Sequence, residues 1–95
     1  MFLGLEIAKA QFLAALMMDH KYKTKTFDNT SSGFEQLWVW LQRLDATTAR
    51  ACMEATGSYG EALATFLVDH GIEVSVVNPA RVKSYAQSEG LRTKN

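Results

Sequence analysis

Three strand-like runs crowd into residues 2–27, joined by connections too short to hold a helix, and this leaves few folds open. Residues 2–7 (Phe-Leu-Gly-Leu-Glu-Ile) and residues 12–18 are apolar runs separated only by Ala8-Lys9-Ala10-Gln11. Asp19-His20 then supplies turn chemistry. In residues 21–27, Lys21, Lys23 and Lys25 alternate with Tyr22, Thr24 and Thr26, the period of a strand with one solvated face. A parallel crossover needs about a dozen residues or more, so the three strands are predicted to form an antiparallel meander.

From Thr30 onward the period becomes helical. Thr30-Ser31-Ser32 offers N-caps, Glu35 is placed to close a capping box from Ser32, and Phe34, Leu37, Trp38, Leu41 and Leu44 recur on one face. Residues 49–54 form a brief apolar run closed by Glu54. After the break at Gly57, Tyr59, Leu63, Phe66, Leu67 and His70 make the inward stripe of a second helix that stops at Gly71. Residues 72–77 (Ile-Glu-Val-Ser-Val-Val) are rich in β-branched residues and predict a strand. Asn78-Pro79 then starts a third helix carrying Val82, Tyr85 and Ala86 inward. The predicted order is β-β-β-α-β-α-β-α. Helix-linked strands are parallel neighbours, so the fold class is α/β with a mixed sheet, in the succession of an RNase H-like domain.

With 95 residues, 47% of them hydrophobic, and no linker or repeat, the chain can build one core, and residues 1–95 are read as a single domain. Its 10 Lys and Arg balance 10 Asp and Glu, so there is no overall field to draw in a polyanion, and any such site must be local. Cys52 is the single cysteine and can form no internal disulfide. Within Ala51-Cys52-Met53 it is expected to be buried as a small hydrophobe, in a reducing cytoplasm. No apolar stretch approaches the roughly 20 residues of a membrane span, and the opening residues lack the basic head of a signal peptide. The expectation is a cytoplasmic chain outside the membrane. The polar, uncapped residues 90–95 read as a segment stopped short, so the domain is expected to be truncated.

Two carboxylates interrupt apolar runs. Glu6 lies in the first strand and Glu54 closes the fourth. Should those strands be neighbours, the acids converge, and close like charges call for a cation; Mg²⁺ or Mn²⁺ with oxygen ligands suits phosphodiester chemistry. Read from the residues alone, the favoured reading is a solvated strand end for Glu6 and a cap of the following turn or helix for Glu54. Arg81, Lys83, Arg92 and Lys94 make the C-terminal part basic and suited to phosphates, or else form a solvated helix face. Lys21, Lys23 and Lys25 could likewise touch a nucleic-acid backbone, but the favoured reading is a solvated edge that opposes aggregation. Val39 and Trp40 lie off the first helix's stripe, so either a large aromatic is exposed for a domain or dimer contact, or Trp40 packs under the meander. His20 and His70 read as a turn and a helix-end residue. Thr56 and Gly57 either offer backbone amides to a phosphate or simply permit a turn.

The wording of the chain resembles the DEDD insertion-sequence transposases, with the related pilin-inversion recombinases. That family has a RuvC-like (RNase H-like) N-terminal domain and a separate C-terminal transposase domain. Gly4-Leu5-Glu6-Ile7-Ala8-Lys9 is similar to its opening Gly-Ile-Asp-Val-Ser-Lys. Phe27-Asp28-Asn29-Thr30 with Gly33-Phe34 is similar to its Phe-x-Asn-Thr-x-x-Gly-Phe. Met53-Glu54-Ala55-Thr56-Gly57-Ser58-Tyr59-Gly60 resembles its second acidic motif, and Val76-Val77-Asn78-Pro79-Ala80-Arg81-Val82-Lys83 its stretch after the fifth strand. Gly90-Leu91-Arg92-Thr93-Lys94-Asn95 resembles the approach to a motif whose two catalytic aspartates would follow.

The resemblance implies catalytic and metal-binding roles for Glu54 and Glu6, with Mg²⁺ or Mn²⁺ as cofactor. It also implies nucleic-acid contacts at Lys9, Arg81, Lys83, Arg92 and Lys94, and DNA, together with a guide RNA in some relatives, as partners. The implied function is metal-dependent DNA strand cleavage and transfer in transposition. Glu6 stands where the family has aspartate and adds one methylene, a departure to which Mg²⁺ geometry is sensitive. Without the two further aspartates the chain itself is expected to be inactive. Two other readings stay open: a non-catalytic module that forms a homodimer, and a fragment of an actin-like sugar kinase or ATPase, against which Glu6-Ile7-Ala8-Lys9-Ala10 offers no glycine for a phosphate loop.

Overall fold

The computed structural model describes residues 1–54 and 58–77. The elements are β1 (Phe2–Ile7), β2 (Gln11–Met18), β3 (Lys21–Asp28), α1 (Ser31–Arg43), β4 (Arg50–Glu54), α2 (Glu61–Asp69) and β5 (Val74–Val77). They form a five-stranded mixed sheet in the order β3-β2-β1-β4-β5. The meander β1–β2–β3 is antiparallel, while β4 runs parallel to both β1 and β5. This is the mixed α/β architecture expected of an RNase H-like transposase domain; the third helix read from Asn78-Pro79 lies outside the described residues.

Alternation sorts the sheet into two unlike faces. Leu3 and Leu5 of β1, Phe12, Ala14 and Leu16 of β2, and Ala51 and Met53 of β4 are all buried on one face. Against them α1 sets Phe34, Leu37 and Leu41, and α2 sets Leu63 and Leu67, in one apolar cluster. Each fully buried leucine contributes about 1.5–3 kcal/mol relative to exposure, so this face carries the fold. The predicted stripe of α1 is narrower than its spacing implied, since Trp38 and Leu44 are only half-buried at its margin. In α2, Tyr59 is exposed ahead of the helix and Phe66 is half-buried. Of the two readings of Trp40, packing is the one observed: its ring meets that of Phe27 edge-on at 5.7 Å, beneath the meander, and Val39 is the exposed neighbour.

Both helices end in the same hydrogen-bonded turn. In α1, Ala46 N donates to Leu41 O (2.8 Å) and Asp45 N to Gln42 O (3.1 Å). In α2, Ile72 N donates to Leu67 O (2.9 Å) and Gly71 N to Val68 O (2.9 Å). This pairing returns two orphan carbonyls to use and requires a left-handed residue just past the helix, here Asp45 at φ 55° and Gly71 at φ 84°.

The start of α1 departs from the predicted capping box. Thr30, in extended conformation, is the N-cap, and its Oγ1 accepts from Gly33 N at 3.1 Å. With Thr30 in that role the third helical position falls on Gly33, which has no side chain to reach back, so Glu35 closes no box with Ser32. Thr30→Ala should lower unfolding free energy by about 1 kcal/mol, while Ser32→Ala should stay within about 0.5 kcal/mol. Urea unfolding of the two variants checks this, and a larger loss at Ser32 would reverse the assignment.

Cys52 is exposed rather than buried. Its neighbours Ala51 and Met53 point into the core, so the alternation of the strand turns the thiol to the other face.

Candidate functional site

The second face of the sheet is covered by no helix among the described residues. Both α1 and α2 pack on the side of Leu3, Leu5 and Met53. On the open side stand Phe2 (57% exposed), Leu13 (37%), Met17 (46%) and Tyr22 (66%). Small residues at Gly4, Ala15 and Cys52 leave between them a shallow depression of about 430 Å³. Glu6, Glu54 and Val77 also line it.

Register brings the two acids together. Leu5 pairs with Met53 across the parallel β1·β4 ladder, and one further step sets Glu6 opposite Glu54. Paired residues of a parallel ladder share a face, and adjacent strands lie about 4.8 Å apart. Both carboxylates are exposed, and both line the same depression. Glu54 ends β4 and Glu6 is the last residue but one of β1, so both lie near the carboxyl edge of the sheet, where α/β sheets place ligands. Among the described residues the one ion pair is Arg50–Glu73 (3.7 Å), with both side chains about two-thirds exposed, so neither Glu6 nor Glu54 is neutralised there. Two carboxylates with water access, unpaired among the described residues, suit a hard divalent ion, which Mg²⁺ sites commonly hold by one or two carboxylates and several waters. Among the described residues no group of three or more His, Cys, Asp or Glu side chains is arranged to hold a metal ion.

The connections at this edge are tied by Asn29, to which sequence reasoning assigns no role beyond the approach to α1. Its Nδ2 donates to Ala8 O at 3.0 Å and to Tyr59 O at 3.0 Å, with Lys9 O at 3.5 Å as a weaker third acceptor. Its backbone N donates to Ala10 O at 2.9 Å. The signal that could have found it is an asparagine directly after a strand and directly before a helix cap, a position where a polar side chain reaches neighbouring backbone.

The family model described as Transposase, of the IS110 DEDD type, matches residues 3–95. The chain belongs to the IS110 DEDD transposase family. Among curated proteins this transposase-family chain is similar to the pilin gene-inverting proteins of Moraxella bovis and Moraxella lacunata. Each is 38% identical over 95 residues, a match that takes in 98% of this chain and 30% of the relative. The chain thus spans about three-tenths of the length of these relatives.

Of the residues assigned from the sequence of this transposase-family chain, the structure brings Glu6 and Glu54 to one place. Lys9 is exposed in the β1–β2 turn, beyond the end of the strand that carries Glu6. Arg81, Lys83, Arg92 and Lys94 lie outside the described residues, as do Thr56 and Gly57. Lys21, Lys23 and Lys25 are exposed on the side of the sheet that carries the helices. There Lys25 and Arg43 line a separate groove of about 370 Å³ between β3 and α1, away from the carboxylates. His20 falls in the β2–β3 turn. His70 caps α2, its ring stacked on Phe66 at 4.0 Å and its Nδ1 2.8 Å from Phe66 O. No helix among the described residues is long and apolar enough to cross a membrane.

Proposed function

We propose that residues 1–95 form a single partial RNase H-like domain contributing two of the acidic residues of a DNA transposase or recombinase, with Glu6 and Glu54 as ligands for Mg²⁺ or Mn²⁺. The observation that carries this reading is the placement of Glu6 and Glu54 on adjacent parallel strands, on a face that no helix covers among the described residues, lining one depression. A divalent ion held there supplies charge neutralisation and activation of oxygen at a phosphodiester. The chain's own residues hold the ion and leave the face beside it open to a nucleic-acid strand. DNA is the partner this reading implies, with Lys9 beside the site and Arg81, Lys83, Arg92 and Lys94 as further phosphate contacts; a guide RNA belongs to the same reading. Cleavage and strand transfer then belong to a longer chain that brings the remaining aspartates, and the 95-residue chain alone neither cuts nor joins DNA.

Mn²⁺ titration followed by electron paramagnetic resonance tests the metal reading. The chain should bind at millimolar or lower concentration, and Glu54→Gln should weaken binding by about tenfold or more, because a carboxylate–cation contact in partly solvated surroundings is worth a kcal/mol or more. Equal binding by the parent chain and Glu54→Gln would sink the assignment. A nicking assay with Mn²⁺ should show no turnover by the chain alone.

A second reading rests on the exposed Phe2, Leu13, Met17 and Tyr22. These apolar side chains share the open face and suit a homodimer contact. Light scattering should then show a mass that doubles with concentration, and Met17→Lys should hold the chain monomeric. Of the readings open from the sequence, the family match favours the transposase.

A further inference from the structure

Three connections meet at the carboxyl edge of the sheet. The β1–β2 turn at residues 8–10 follows Glu6, the β3–α1 junction holds Asn29, and the turn at residues 58–60 precedes α2 on the far side of Glu54. They meet because β1, β3 and β4 all run in one direction, β3 being two antiparallel steps removed from β1. The side chain that joins them is Asn29. All three of its partners are carbonyl oxygens, so only the amide NH₂ can face them.

The tie spans segments 21 and 30 residues away in sequence. Among the described residues no other hydrogen bond joins the turn at 58–60 to the turn at 8–10. The bonds of the later turn are internal to it and to α2, Glu61 N to Ser58 O and Ala64 N to Gly60 O. Beside the tie, a Cβ on Gly60 would stand 3.0 Å from the Ile7 Cδ1 and 3.2 Å from the Met53 Sδ, so the later turn rests closely on the ends of β1 and β4. Ile7 and Met53 are the immediate neighbours of Glu6 and Glu54.

We infer that Asn29 is a positioning residue for the two carboxylates: by tying the turn after β1 to the turn before α2, its amide fixes the strand ends that carry Glu6 and Glu54 relative to one another. This rests on the reading of Glu6 and Glu54 as a shared site. A ligand pair has to be held to within about 0.5 Å by groups that do not themselves bind the ligand. The β1·β4 ladder pairs Phe2 through Leu5 with Arg50 through Met53 and stops one step short of the acids. The last step is therefore the place where a tie outside the ladder matters. Asn29 touches no substrate in this arrangement; it acts through the backbone of Ala8 and Tyr59.

The test is nuclear magnetic resonance on the 95-residue chain, without metal, comparing Asn29→Ala, the milder Asn29→Ser and Thr30→Ala. The first two remove or shorten the tie. Thr30→Ala removes the adjacent helix cap and so lowers stability without touching the three carbonyls. In Asn29→Ala the amides of Ala8 and Glu61 should exchange about tenfold faster, the scale expected for one lost hydrogen bond to each turn. The nuclear Overhauser contact between the Glu6 and Glu54 methylenes should weaken, while the β2·β3 ladder keeps its protection. Thr30→Ala should leave that contact at its parent intensity. The inference is overturned if Asn29→Ala keeps the contact unchanged, or if Thr30→Ala weakens it equally. Should Asn29→Ala not fold, Asn29→Ser is judged by the same two signals. Mn²⁺ binding by the parent chain is measured separately. Its absence overturns the metal reading alone, because the Glu6–Glu54 contact reports the positioning with no metal present.

Discussion

Gly33→Ala should destabilise this chain strongly, lowering its unfolding free energy by about 3 kcal/mol out of the roughly 5–15 kcal/mol usual for a domain. Helix propensity alone forecasts the opposite sign, a gain of about 1 kcal/mol for alanine inside a helix. Packing decides. A Cβ on Gly33 would fall inside the Asp28 carbonyl oxygen, 2.8 Å from the Asp28 carbonyl carbon and 3.1 Å from its nitrogen. These are backbone atoms at the end of β3, so they cannot swing aside as a side chain would. The first turn of α1 would have to lift off the sheet, taking Phe34 with it and disturbing the junction that holds Asn29. Circular dichroism through a thermal scan is the measurement, and a raised midpoint would show that the close approach of α1 to β3 is not as described.

Phe12→Ala should cost about 3–5 kcal/mol, whereas Leu13→Ala, one residue on, should cost less than about 1 kcal/mol. Phe12 is 1% exposed, stacked on Phe27 at 5.4 Å and tilted against Phe34 at 6.0 Å, so it joins β2 to both β3 and α1. Its loss leaves a cavity that three separate elements line. Leu13 points to the open face and is 37% exposed. For a domain of this size the difference corresponds to a fall in melting temperature of about 10 °C or more for Phe12→Ala alone. A larger loss at Leu13 than at Phe12 would mean that β2 is paired one residue out of register, with its faces exchanged.

The comparison between these adjacent residues shows what was legible in the chain. Residues 2–7, 12–18 and 21–27 announced strands because their connections were too short for anything else, and β1, β2 and β3 form within a residue of those bounds. The later strands were readable as parallel because a helix intervenes before each. Gly71 signalled the end of α2, since glycine takes a positive φ without cost. The matching turn after α1 uses Asp45 and carried no such signal, although the same two hydrogen bonds form there. Cys52 misled for a related reason: an apolar run of Ala-Cys-Met does not say which of its members faces the core, and the neighbours across β1 and β5 settle it.

Sequence alone determined the order of the elements, the family, and the pair of acids at the ends of two strands, because each is written in local spacing or wording. Only the tertiary structure decided that Glu6 and Glu54 share one face of the sheet, that Thr30 rather than Ser32 caps α1, and that Asn29 joins turns remote in sequence. Those outcomes depend on which strand lies beside which, in what register, and how closely a helix settles on the sheet. Such long-range pairings are fixed by the simultaneous burial of Leu3, Phe12, Leu37, Met53 and Leu67 in one core, a condition that no stretch of the chain carries by itself.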